Sequence, residues 1–237
     1  MFKKLIFVIF SSISFAETSE LSLPDHFFNM LKPLVSEVNQ SIYIDRKKLT
    51  AWSQQYPLEP TAQILDIQKR YLLTNCDIKE KKCIEALKKR VDIVPNSLAL
   101  SQAALESGFG TSRFAKEGNA FYGQWCFKKG CGIQPKKPNK SLGFYAVKSF
   151  KSPKAATIEY IHNLNTQSSY ESFRNMRAAQ RKNGLKLDSL KLVDTLNLYS
   201  TSGKKYLQDI KSIIKTYQLQ KYDNAKYSER SQNHFFV

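Results

Sequence analysis

Between Glu117 and Glu159 the chain carries no aspartate or glutamate. A glycosidic or peptidic chemistry that needs two carboxylates cannot draw its second from that stretch. No apolar run approaches the roughly 20 residues of a membrane-spanning helix, so no transmembrane segment is expected. Neither HExxH nor a CxxC pair occurs, which removes the usual sequence signatures of a zinc site. RNP-type and zinc-finger patterns are likewise missing, and with them the recognisable routes to nucleic acid. No internal repeat is present. Neither a metal nor a cofactor is called for.

What is present begins with MFKKLIFVIFSSISFA, two lysines ahead of a short apolar run that closes on Ser14, Phe15 and Ala16. This pattern predicts a secretory signal over residues 1–16, and hence a periplasmic or secreted destination. The four cysteines agree with an oxidising compartment. Cys76 and Cys83 flank one short segment, and Cys126 and Cys131 flank CFKKGC. Three connectivities are open, of which two local pairs are the simplest. A cysteine nucleophile with His162 as its base is disfavoured by the even count. The 237 residues hold 37 Lys and Arg against 20 Asp and Glu, a formal net charge of +17. Such an excess points to an anionic partner. For an exported chain that partner is an acidic polymer such as the cell wall, with Lys128, Lys129, Lys136, Lys137 and Lys140 as a candidate rim. The plainer reading is surface lysines that only solubilise.

Apolar spacing predicts helices over residues 22–39, 46–54, 61–73 and 79–90, then one from Pro95 through Glu106. Between Gly118 and Ile158 glycines, prolines and aromatics crowd together, which reads as a small lobe of β-hairpins with SLGFYAV as one strand. Helices resume at residues 153–164, 170–183, 187–198 and 203–219. The expected division is an N-terminal helical extension over 17–58, a main domain over 59–222, and a loose polar tail over 223–237. The expected fold class is mainly α (α+β): a helical lobe beside a small β-lobe, with a cleft between them.

Glu106 stands at that junction. It closes an alanine-rich helix just before Ser107 and Gly108, at the negative end of the helix dipole, where a carboxylate is disfavoured. Either it is a solvated surface group or its pKa is raised for a purpose. The surrounding residues, SQAALESGFGTSRFAKEGNAFYGQW, resemble the motif of the peptidoglycan glucosaminidase family (glycoside hydrolase family 73), in particular its Bax-like branch. The family pattern A-x-x-E-S-G-[WF]-G-x-S is matched at 103–112. The pattern G-N-x-[LF]-F-G is matched at 118–123, with Tyr122 in place of its Phe and Ala120 in place of an Asn common in that branch. Downstream, YIHNLN at 160–165 and YSTSGKKY at 199–206 resemble further family segments, so the likeness covers roughly residues 60–222.

The resemblance implies a lysozyme-like fold and a monomeric enzyme that cleaves β-1,4 bonds in peptidoglycan glycan strands. It implies Glu106 as general acid, with Tyr199 or Tyr206 beside the scissile bond. Phe109, Tyr122, Trp125 and Tyr145 are candidate platforms for sugar faces, although any single one is more often a core residue. Asn119 is a candidate partner for an acetamido group, or simply a turn residue. Two other outcomes remain open at this point. One is a lytic transglycosylase, which also works with a single Glu. The other is a wall-binding module with little or no activity.

Overall fold

A computed structural model describes residues 21–139, 141, 143–200, 202–225 and 227. The signal expected over residues 1–16 lies outside them, as do Lys140 and most of the polar tail. The chain folds as a helical body carrying a small three-stranded sheet, the lysozyme-like α+β architecture that the motif implied.

Helix α1 (Leu23–Ser53) starts at Ser22, whose hydroxyl caps the backbone N–H of Asp25. It runs unbroken where two helices were expected. Its buried residues, Leu31, Val35, Val38, Ile42, Asp45, Leu49 and Trp52, recur every three or four positions, one continuous stripe for the core. Asp45 interrupts the apolar reading because its carboxylate is buried in a bidentate pair with Arg70, at 2.7 and 3.0 Å. The N-terminal half of α1 belongs to the main core. Its C-terminal half joins a second cluster with α2 (Ala62–Arg70) and α3 (Lys81–Arg90). Helix α1 thus threads both cores.

Helix α4 (Asn96–Ser107) lies at the centre, with ten of its twelve residues buried. Such a helix has neighbours on every side, and here they include α1, α9 (Lys204–Thr216) and the terminal turn at Leu219–Asn224, with Tyr160 of α6 (Pro153–Thr166) reaching Gln102. The short α5 (Arg113–Gly118), capped by Ser112, follows and had not been expected. The sheet is smaller than foreseen. Strands β1 (Trp125–Cys126) and β2 (Gly132–Ile133) both pair antiparallel with β3 (Ala146–Lys148), in the order β1-β3-β2. Among the described residues of the SLGFYAV segment, only Ala146 and Val147 are strand. Helix α7 (Glu171–Lys182) matches its expected span. The helix expected over 187–198 shortens to α8 (Ser189–Val193), followed by turns.

The cysteines form the two local bridges, Cys76–Cys83 beside α3 and Cys126–Cys131 joining β1 to the approach of β2. With all four oxidised, no thiol nucleophile exists, and His162 instead hydrogen-bonds the carbonyl of Arg70. The tail expected to be loose from residue 223 is still packed there. Asp223 accepts from the backbone N–H of Ser97 at 2.8 Å and from its hydroxyl at 2.6 Å. Tyr227 packs on Tyr43. Among the described residues no helix is long and apolar enough to cross a membrane.

Candidate active site

The site is built on α4, so the anchoring of that helix comes first. Pro95 at its head offers no side-chain cap. The buried side chain of Asn39 on α1 grips the approach instead, donating to the carbonyl of Val94 and to Asn96 and accepting from the Val94 N–H. Asp223 supplies the missing carboxylate at the first turn, where exposed N–H groups and the dipole favour a negative charge. Both ends of this clamp lie far away in sequence. Just before α4, Asp92 is buried among Arg46, Arg177 and Arg181. Burial alone would raise its pKa, but the three guanidinium groups outweigh burial and leave it lowered.

At the other end Gly108 is left-handed, φ +56°, which ends the helix in the way its sequence suggested. Phe109 and Gly110 also have positive φ. Ser107 holds this turn, donating to the carbonyl of Ala103 at 2.6 Å and accepting from the N–H of Gly110 at 2.8 Å. Glu106 is thereby fixed on the last turn, with its carboxyl partly buried.

Across from it stands Gly123, φ +63°. A Cβ there would lie 2.5 Å from Oε2 of Glu106. Only glycine lets the start of the β-lobe approach the carboxyl this closely. Burial pushes the pKa of Glu106 from 4.5 to about 7, against a downward pull from a hydrogen bond donated by Tyr206. Burial, not the helix end, leads the shift. The group is thus divided between acid and carboxylate near neutral pH, the condition for transferring a proton there. Among the described residues no second carboxylate contributes to that shift. Glu159 pairs with Lys148 and Glu117 with Arg113.

Aromatic residues wall the site. The hydroxyl of Tyr206 accepts from Nε2 of Gln102 at 2.8 Å and lowers the pKa of Glu106, and its ring stacks on Tyr199 at 5.6 Å. Tyr199 directs its own hydroxyl to the carbonyl of Tyr122 at 2.8 Å. Of the two candidates, Tyr206 is the one whose hydroxyl acts on the pKa of the acid, and Tyr199 stacks on it. Tyr170 also lies within the field of Glu106 and packs on Tyr199. Burial raises the pKa of Tyr122, Tyr160, Tyr170, Tyr199 and Tyr206, so all five keep their protons.

The expected sugar platforms divide. Trp125 is exposed by 53% and its ring rests on Tyr145 at 4.9 Å, an open aromatic face with firm backing. Tyr145 itself is buried, with its hydroxyl accepting from the N–H of Asn139. It braces the platform and offers no second one. Tyr122 is wholly buried and stacks on Tyr160 at 4.0 Å, so no sugar can lie on it. Phe109 packs among Phe27, Phe28 and Tyr217. Asn119 is the left-handed C-cap of α5 and donates its side-chain amide to the carbonyl of Phe150, which is its role as a turn residue. Sequence reasoning passed over Gln102, Tyr160 and Gly123. The signal for Gln102 was a buried amide one turn before Glu106, a group that must have partners. A concavity of about 640 Å³ at the opposite end of α4 is lined by Asn96, Arg181, Asp223 and Tyr227 among others, and does not include Glu106.

The family model described as glucosaminidase, mannosyl-glycoprotein endo-beta-N-acetylglucosaminidase, matches residues 81–219. The chain is also similar to the protein Bax of Escherichia coli (strain K12), with 34% identity over 182 residues. That match covers 76% of this chain and 64% of the relative. No solved structure matches the chain significantly.

Proposed function

Since the chain belongs to the glucosaminidase family, its model matching more than half of the sequence, we propose that it is an exported cell-wall hydrolase cleaving β-1,4 bonds of peptidoglycan glycan strands, with Glu106 as general acid. The observation that carries this reading is the Glu106 carboxyl, raised to about 7 by burial and closed over by Gly123. Protonated Glu106 gives its proton to the glycosidic oxygen as the C1–O bond breaks. The positive charge developing at C1 needs a partner, and no second carboxylate is coupled to Glu106 among the described residues. The acetamido oxygen of the sugar itself bonds C1 in its place, as in substrate-assisted glycosidases. Water then attacks C1, opens the resulting ring and returns a proton to Glu106. Tyr206 favours the ionised carboxyl that takes the proton back, and Trp125 offers a sugar face at the β-lobe. The positive charge of the chain suits the carboxylates of wall stem peptides.

The same single carboxyl favours a second reading, lytic transglycosylation, in which a hydroxyl of the sugar replaces water and an anhydro end results. Purified sacculi digested by the wild type and by Glu106→Gln, with new reducing ends counted, test the proposal. Hydrolysis gives one reducing end per cut for the wild type and almost none for the variant. N-deacetylated glycan is expected to be a poor substrate. Equal release by both proteins would remove Glu106 from the chemistry, and solubilisation without reducing ends would favour the transglycosylase.

A further inference from the structure

Behind the acid lie two buried groups that the reaction as written does not use. Gln102 is wholly buried in α4, one turn before Glu106. Tyr160 on α6 is buried as well, its ring against Tyr122. The hydroxyl of Tyr160 donates to Oε1 of Gln102 at 2.6 Å, and Nε2 of Gln102 donates to the hydroxyl oxygen of Tyr206 at 2.8 Å. A tyrosine hydroxyl has one proton. Because Tyr206 receives from Gln102, its own proton is free to turn toward Glu106, whose pKa it lowers. These two bonds run in one direction, from Tyr160 through Gln102 to Tyr206. A carboxyl oxygen that accepts from Tyr206 is a poor place for the acid proton, which is left to the other oxygen.

We propose that Gln102 and Tyr160 are positioning residues that polarise Tyr206 toward Glu106, so that the acid carries its reactive proton on the oxygen Tyr206 does not touch. A reversed amide would turn the chain around: Tyr206 would donate to Gln102 and accept from Glu106, placing the acid proton on the wrong side. The hydroxyl of Tyr160 holds the amide in its working orientation. The inference rests on Glu106 being the acid, but its test reads the carboxyl directly, whether or not glycan is cut.

Side-chain carboxyl ¹³C labelling of glutamate in the full chain, with Glu106→Gln to assign the signal, gives the titration of Glu106 by NMR. The midpoint is expected near 7 in the wild type. Tyr206→Phe should move it upward by about one unit, the worth of a lost hydrogen bond to a charged group. Gln102→Met and Tyr160→Phe should move it the same way, by less. Under the proposed function they should also lower kcat about tenfold through misorientation, with KM nearly unchanged. Tyr160→Phe keeps the ring on Tyr122, so it remains informative should Gln102→Met fail to fold. A folded Gln102→Met or Tyr160→Phe that titrates where the wild type does would overturn the inference. A downward shift would overturn it too, since it would mean the chain runs the other way. If the shifts appear and sacculi stay intact in the wild type, the relay stands and the proposed activity falls.

Discussion

Replacing Glu106 by Gln should separate stability from activity. The folded protein holds the Glu106 proton up to about pH 7, whereas the unfolded chain releases it near 4.5. Between those values the folded state binds more protons, so stability falls as pH rises, and above about 7 the whole cost of the buried charge is present. Converted at about 1.4 kcal/mol per unit, the separation amounts to roughly 3 kcal/mol. Water at the partly exposed carboxyl reduces this to about 1–3 kcal/mol. Glutamine keeps the shape and never ionises. Urea unfolding at pH 4 should therefore find the two proteins nearly equal. At pH 8 the Gln variant should be the more stable by about 1–3 kcal/mol, while its turnover falls by about 10² to 10⁴. A stability gap that does not widen between the two pH values would refute the idea that burial raises this carboxyl.

Three other outcomes follow from the geometry. Gly123→Ala places a methyl on the Glu106 carboxyl and strains a residue at φ +63°, so activity should drop about 10²-fold from displacement, while the far-UV spectrum stays native. Asp92→Asn leaves Arg46, Arg177 and Arg181 facing one another without their anion, which should cost about 3 kcal/mol or more in urea unfolding. Binding to sacculi should weaken sharply as salt rises from about 0.05 to 0.5 M, because exposed lysines such as Lys128 and Lys129 act through screened charge. Unchanged binding would leave the sugar contacts to hold the protein alone.

The helices that sequence revealed best were those whose local chemistry agrees with their packing. The Gly108 stop and the start of α6 at residue 153 were both legible, because a left-handed glycine and the N-cap hydroxyl of Ser152 act within a few residues. The join in α1 was hidden, since Asp45 reads as polar until Arg70, 25 residues away, is placed against it. The capping of α4 by Asp223 spans 126 residues and leaves no local trace. In the site, Glu106 was singled out by the family motif around it, because its place at a helix end alone left a solvated group open. The choice between Tyr199 and Tyr206 was not legible. Both are aromatic residues beside the same cleft, and only the fold shows that one hydroxyl meets Gln102, one turn before the acid, while the other meets a backbone carbonyl. Trp125 and Tyr145 looked interchangeable as platforms until their stacking put one on the surface and the other beneath it.

The most direct measurement is mass spectrometry of the fragments that the wild-type protein releases from purified sacculi. Cleavage by a glucosaminidase with Glu106 as acid should leave N-acetylglucosamine at the new reducing ends, and Glu106→Gln should leave the sacculi uncut. Reducing N-acetylmuramic acid ends, anhydro ends, or no release at all from the wild type would contradict it.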